Sequence, residues 1–231
     1  DLAGREEVEI LADKDPGGGL PVRVYLPGYS RTMGPQSHLF AERERLQSLT
    51  WEYFDVKQLS PTIGAELVGL DLSQELTDEV VSEIQQALWD YKVIFFRNQE
   101  ITSEEQLRFA QRFGELEIHP FLPPNTKTPE LVRFEKNANA AGYENQWHHD
   151  VTWRETPSQG AILRAIEIPP IGGDTLFVDA NAAYEGLTQE RKDEIDSLNA
   201  VHDFLRAFGR QVPKEKLAEM RGMYPLVKHP V

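Results

Sequence analysis

Cysteine is missing from this 231-residue chain, which excludes disulfides, thiolate metal sites and cysteine nucleophiles. Any metal has to be held by imidazole and carboxylate. Histidine is itself scarce: His38, His119, His148, His149, His202 and His229 are the six. Positive charge is short as well, with 24 Lys and Arg against 38 Asp and Glu and a formal charge of −14. Nucleic acid and anionic lipid are therefore poor partners, because phosphates are held mainly by Lys and Arg. Basic amphipathic helices and aromatic–basic stripes are also absent from the pattern. A small anionic molecule stays compatible, since a local pocket can oppose the global charge. No apolar run approaches the ~20 residues of a membrane span. The opening Asp1-Leu2-Ala3-Gly4-Arg5-Glu6-Glu7 has no basic stretch followed by an apolar one, so no signal peptide is expected and a cytoplasmic location is the default.

What is present suits a globular protein: 40% of residues are hydrophobic and 10% aromatic. Residues 1–50 are polar and broken by Asp15-Pro16-Gly17-Gly18-Gly19 and Pro27-Gly28, and they read as an N-terminal arm or extension. The glycine triplet lacks a following Lys-Ser/Thr, so it is a loop and not a phosphate cradle. A short, charged helix fits 37–49. From Trp51 the texture changes. The segments 54–57 and 65–70 alternate as strands do, with Pro61 and Gly64 between them. Thr77 caps a helix running to about Tyr91, with Val80, Ile84, Leu88 and Tyr91 on one face. Val93-Ile94-Phe95-Phe96 reads as a buried strand. Ser103 with Gln106 resembles a capping box, opening a helix striped by Leu107, Ala110 and Phe113 and ended by Gly114.

Further strands are expected at 131–134, 161–168 and 175–178, with the Gly172-Gly173 turn between the last two. Asp179 or Asn181 caps a helix through Tyr184 and Leu187, and a helical stretch covers roughly 189–208. No repeat recurs at a fixed period. The order of elements predicts an α+β fold with a β-sandwich or jelly roll at its centre.

The segment that carries chemistry is Trp147-His148-His149-Asp150-Val151-Thr152-Trp153. On an extended strand residues two apart share a face, so His148 and Asp150 converge and His149 points away. An imidazole and a carboxylate together are two-thirds of the facial triad that holds non-haem Fe(II). Two blander readings stand beside it. His148 and Asp150 pair by a hydrogen bond on a sheet surface, or His149 is the ligand and His148 is buried.

The surroundings of that segment carry a resemblance. Residues 147–153, then Pro157, Gly160-Ala161-Ile162-Leu163 and Gly172-Gly173-Asp174-Thr175-Leu176-Phe177, match the taurine dioxygenase family in order and spacing. Val93-Ile94-Phe95-Phe96-Arg97-Asn98-Gln99, Phe113-Gly114-Glu115-Leu116, Ala183-Tyr184-Glu185-Gly186-Leu187 and His202-Asp203-Phe204 extend the match. The resemblance covers 51–231 and identifies that stretch as an Fe(II)- and 2-oxoglutarate-dependent oxygenase domain.

It implies a double-stranded β-helix, or jelly roll, core with flanking helices. It also implies that His148 and Asp150 bind iron, Thr175 helps hold the distal carboxylate of 2-oxoglutarate, and His119, Val151 and Phe208 line the substrate pocket. The implied reaction consumes O2 and 2-oxoglutarate, releases succinate and CO2 and hydroxylates the substrate. Because Asp150 is present, hydroxylation is favoured over halogenation.

The chain also departs from the family. The second iron histidine and the arginine for 2-oxoglutarate are expected beyond Val231, with the C-terminal part of the barrel. His229 matches an upstream strand of the barrel, and His202 falls in the helical stretch as a structural residue. In the pocket, Leu122 replaces a tyrosine, and Glu144 beside Asn145 would repel a sulfonate, so taurine itself is disfavoured. Another sulfonate, an alkyl sulfate, an aryloxy acid or an amino-acid derivative remains open. A catalytically inactive small-acid-binding relative is the alternative function, and a purely structural domain is a third. The family leads to an expected homo-oligomer, a dimer or tetramer.

Overall fold

The computed structural model of the chain describes residues 8–9, 23–24, 37–118, 127–135, 147–209 and 212–231. Two short strands, β1 (Val8–Glu9) and β2 (Arg23–Val24), pair antiparallel ahead of the main body. Helix α1 (Ser37–Gln47) then docks on that body. Its surface is charged, yet Leu46 is 2% exposed and lies in the hydrophobic core. Polar ties hold it from both sides: Arg45 donates to Asp90 at 2.7 Å, and the Lys92 ammonium donates to Glu42 at 2.6 Å.

A three-stranded mixed sheet follows. Strands β3 (Asp55–Gln58) and β4 (Ala65–Val68) pair antiparallel, with Asp55 opposite Val68 and Gln58 opposite Ala65. Their turn closes at Gly64, whose φ of +85° suits a residue without Cβ. Helix α2 (Asp78–Tyr91) crosses over and returns the chain to β5 (Ile94–Phe95), parallel to β4. The Thr77 hydroxyl accepts from the Val80 amide, and Asp78 and Glu79 complement the helix dipole. The face turned inward is Val81, Ile84, Ala87 and Tyr91, so Val80 and Leu88 sit at its margins. Ile84 and Ala87 are fully buried against Ala65, Leu67, Phe54, Leu72 and Phe109.

Helix α3 (Ser103–Gln111) supplies Phe109 to that core. Its capping box is formed by Thr102 and Glu105, one residue ahead of the expected Ser103–Gln106 pair. Gln106 is buried, and its amide reaches the Ile162 carbonyl at 3.4 Å. The side chain that caps must stay at the rim, and tertiary packing draws Gln106 inward.

Beyond residue 147 come α4 (Ala180–Glu185), α5 (Gln189–Ile195), β6 (Asn199–His202), α6 (Phe204–Phe208), a 3-10 turn (Lys214–Lys216), α7 (Leu217–Met223) and β7 (Val227–Pro230). The helical stretch expected over 189–208 is thus interrupted by a strand, and His202 belongs to that strand. Pairing with β7, whose His229 lies opposite Ala200, overrides local helical preference. A second core forms where Trp153 (7% exposed) meets Phe204 (0% exposed) and Tyr224 edge-on at 5.2 and 4.9 Å.

Segments 131–134, 161–168 and 175–178 do not join a ladder among the described residues, contrary to expectation. A strand needs a hydrogen-bonded neighbour, and these segments have none there. They leave Leu163, Ile166, Ile168, Leu176 and Val178 exposed. The architecture is α+β, with helices on a small mixed sheet. No helix among the described residues is long and apolar enough to cross a membrane.

Candidate metal centre

Residues 147–154 leave the extended form at Asp150. Residues 150–153 form a turn, Arg154 donates its amide to the Val151 carbonyl at 3.1 Å, and Val151 adopts φ of +59°. That conformation is uncommon for a β-branched residue, because its Cβ crowds the following carbonyl. Period-two alternation therefore does not orient this segment as expected. The turn nevertheless brings His148 Nε2 to 3.4 Å from Asp150 Oδ1, with both side chains more than half exposed. Two donors at right angles, each about 2.1 Å from a shared cation, stand about 3 Å apart. The pair thus fits two cis positions on one metal. Among the described residues no third His, Asp or Glu completes a metal-binding group. The neighbouring His149 turns its Nδ1 to the Asp150 carbonyl at 2.9 Å; a carbonyl only accepts, so this nitrogen carries the proton.

The turn is held from two directions. Trp153 is planted in the second core, with the Arg154 guanidinium 4.9 Å above its ring. Arg154 in turn meets Glu117 at 2.8 Å, and the Ser158 hydroxyl donates to the same carboxylate. On the other side, the antiparallel β6–β7 pair presents His202 and His229. His202 Nδ1 contacts the Thr152 hydroxyl at 2.9 Å, while His229 Nε2 donates to the Thr152 and Arg154 carbonyls at 2.9 and 3.1 Å. Below them Arg221 grips Asp203 with two nitrogens at 2.8 and 3.1 Å and holds its carboxyl below the usual range. Asp203 also caps α6, so the end of β6, α6 and α7 are tied at one point.

The other expected site residues are scattered in placement. Val151 is half-buried in the turn itself. Phe208 stacks on Phe204 at 5.2 Å, in the aromatic cluster that seats Trp153. Thr175 lies exposed on the extended segment before α4, and no contact among the described ones joins it to His148 or Asp150. His119, Leu122, Glu144 and Asn145 lie outside the described residues. Sequence reasoning passed over Thr152, His202 and His229 as a group. The alternation in Ala200-Val201-His202 and Val227-Lys228-His229, which puts the small or imidazole side chains on one side of each strand, is the signal that could have found them.

A groove of about 770 Å³ on the described surface lies elsewhere. It runs along the outer side of α2 past Glu79, Glu83, Trp89 and Arg112, away from the pair, and carries no convergent donor set.

Comparison with known proteins bears on the whole stretch. The sequence model of the taurine catabolism dioxygenase TauD, TfdA family matches residues 55–231. An alkylsulfatase of Acinetobacter baylyi is 34% identical over 188 residues, which are 78% of this chain and 59% of that protein. An alpha-ketoglutarate-dependent sulfate ester dioxygenase of Pseudomonas putida is 39% identical over 150 residues, covering 64% of this chain and 49% of that protein. The crystal structure of a taurine dioxygenase from Burkholderia xenovorans superposes with a TM-score of 0.63 at 34% identity, over 78% of this chain and 58% of that one. The chain spans about half to three-fifths of the length of these relatives. With well over half of its residues matched, it is a member of the taurine catabolism dioxygenase TauD, TfdA family.

Proposed function

We propose that the protein is an Fe(II)- and 2-oxoglutarate-dependent dioxygenase that hydroxylates a small anionic organic substrate. The observation that carries this reading is the convergence of His148 and Asp150 on one turn, at 3.4 Å, in a chain of this family. Bound Fe(II) would supply positions for 2-oxoglutarate and O2 and the redox chemistry that couples decarboxylation to hydroxylation. The net reaction consumes substrate, O2 and 2-oxoglutarate and gives hydroxylated product, succinate and CO2. The contribution of this chain is to hold the imidazole and carboxylate on a fixed turn, leaving the remaining positions open. Thr175 is assigned to the distal carboxylate of 2-oxoglutarate, and His119, Val151 and Phe208 to the substrate pocket.

Sulfonates, alkyl sulfates, aryloxy acids and amino-acid derivatives form the substrate class. The alkylsulfatase and the sulfate ester dioxygenase among the relatives support a sulfate ester within it. Hydroxylation of the carbon bearing the ester oxygen would let the product break down to a carbonyl compound and sulfate.

We assign residues 1–50 to an N-terminal extension and 51–231 to the oxygenase domain, whose core is a jelly roll. The third iron ligand and the 2-oxoglutarate arginine are assigned to sequence following Val231, together with strands that pair with 161–168 and 175–178. The exposed Leu163, Ile166, Ile168 and Leu176 support that pairing, because strands buried on a barrel wall carry such residues. A cytoplasmic homo-oligomer, dimeric or tetrameric, completes the reading. The second reading, an inactive small-acid-binding relative, is favoured only by the lack of a third ligand among the described residues.

The test is anaerobic addition of Fe(II) and 2-oxoglutarate to the intact protein, followed by the weak visible charge-transfer absorption of the chelate. The band is expected in the parent and lost in Asp150→Ala, with succinate formed only by the parent in air. A band without succinate from any substrate of the class supports the binding relative. Absence of the band in the parent refutes the oxygenase.

A further inference from the structure

We propose that His202 and His229 are positioning residues, clamping through Thr152 the turn that carries the iron-binding pair. The inference rests on the reading of His148 and Asp150 as ligands.

The geometry begins with the antiparallel pair β6–β7. In β6 and β7 the inward side chains are Ala200, His202, Val227 and His229, and His229 sits directly opposite Ala200. His202 is then the diagonal neighbour of His229 on the same face, within reach for aromatic side chains. The rings meet edge-on at 4.9 Å. Both reach one residue. His229 Nε2 straddles the Thr152 and Arg154 carbonyls, at 2.9 and 3.1 Å, and carries the proton because neither partner can donate. His202 Nδ1 meets the Thr152 hydroxyl at 2.9 Å. Main chain and side chain of Thr152 are thus fixed by two rings that brace each other.

Thr152 is two residues from Asp150 and is separated from it by Val151, the residue with φ of +59°. The Thr152 carbonyl cannot rotate without breaking the His229 bond. Rotation about the neighbouring bonds is what would let Val151 return to the extended region and swing Asp150 away from His148. The clamp therefore acts on the ligand pair through the backbone, without touching the metal. Losing a partner bonded directly to a ligand typically costs about 10–100-fold in metal affinity; this clamp acts from two residues away, so the lower end, about tenfold, is expected.

The inference is tested on the intact protein in His229→Ala, His202→Ala and the conservative His229→Gln, whose amide nitrogen can replace Nε2 as donor. Hydrogen exchange of metal-free protein, read by mass spectrometry on a peptide spanning 148–154, reports the turn directly. Mn(II) titration, with free Mn(II) followed by electron paramagnetic resonance, reports the ligand pair. The expected result for both alanine variants is exchange about three- to tenfold faster in that peptide, with α2 unchanged, and Mn(II) binding weakened about tenfold. His229→Gln is expected to restore both readings most of the way.

Unchanged exchange in the alanine variants overturns the clamp. Faster exchange with unchanged Mn(II) affinity leaves only a structural contact and overturns the positioning role. Failure of the parent to bind Mn(II) removes the metal reading, and the positioning role with it. The exchange arm separates the last two outcomes from failure of the clamp itself.

Discussion

Trp153 joins the fold to the candidate site, and its removal should be costly in a way the structure lets one size. The indole is 7% exposed and packs edge-on against Phe204 and Tyr224, with Phe204 itself fully buried. Truncating a buried Trp to Ala costs about 3–5 kcal/mol, because a cavity remains where neighbours cannot close in. Here Phe204 is further held by stacking on Phe208 and by its place in α6, so collapse into the space is restricted. The upper half of that range is therefore expected. Trp153→Phe keeps one ring and should cost about 1–2 kcal/mol, mostly from the lost second ring and one edge-on contact. In urea, with a slope of about 3 kcal/mol per molar for a chain of this size, Trp153→Ala should lower the midpoint by about 1–2 M. The Phe variant should lower it by roughly 0.5 M. Circular dichroism at 222 nm is the readout, since the mutation itself removes one of the four tryptophans and alters the fluorescence signal. A midpoint shift below about 0.3 M for Trp153→Ala would mean that the indole is not seated as described. The account of the turn as anchored by the second core would fall with it.

Three further outcomes follow from the geometry. Thr102→Ala removes the hydroxyl that accepts from the Glu105 amide while keeping the reciprocal bond from the residue 102 amide to the Glu105 carboxylate, so a loss of about 1 kcal/mol is expected in thermal melts; a neutral result would argue against the capping box at this register. Gly64→Ala meets only ordinary contacts at 3.8 and 3.9 Å, yet it should cost about 1 kcal/mol or more because φ is +85°; a gain in stability would refute left-handed backbone there. Acid should weaken the ties of α1 and α6. Hydrogen bonds from Arg45 and Lys92 lower Glu42 to about 2, and Arg221 lowers Asp203. Both carboxyls are depressed in the folded state, so their contribution is full above the unfolded value near 4 and is lost as pH falls through the folded value. For Glu42 that window runs from about 4.5 down to about 2, and solvent screening limits the effect to about 1 kcal/mol. Glu42→Gln should flatten part of this acid limb of the melting temperature, and an unchanged limb would discount the pair.

The first half of the fold was legible because its signals are local. The alternation at 54–57 and 65–70 appears as β3 and β4, and the spacing of Ile84 and Tyr91 fixes the buried side of α2. The cap of α3 was misplaced by one residue because two overlapping pairs, Thr102–Glu105 and Ser103–Gln106, offer the same chemistry. Only the burial of Gln106 against Ile162 decides between them. Strand β6 was missed for a related reason. The alternation in Asn199-Ala200-Val201-His202 is only four residues long, and its partner lies at Val227–Pro230, a pairing that nothing local announces. The strands expected at 161–168 and 175–178 are apolar and β-branched as strands should be. Propensity alone does not make a ladder, however, and they have no partner among the described residues.

The approach of His148 to Asp150 was expected from the sequence, but the structure gives it a different geometric cause. A strand would bring the two side chains together by repetition, at no cost to the backbone. Here they meet because Val151 occupies a left-handed conformation that costs a β-branched residue about 1–2 kcal/mol. A local sequence that disfavours its own geometry has to be held by something distant. Trp153 pulls the turn into an aromatic core built from α6 and the end of α7, and His229 bonds two of its carbonyls from β7. Those contacts come from residues 51 to 77 positions further along the chain. An isolated peptide spanning 147–154 would therefore relax toward extended backbone at Val151, and the donors would separate. The candidate centre is thus a product of the C-terminal strand pair and helices as much as of the motif that announces it.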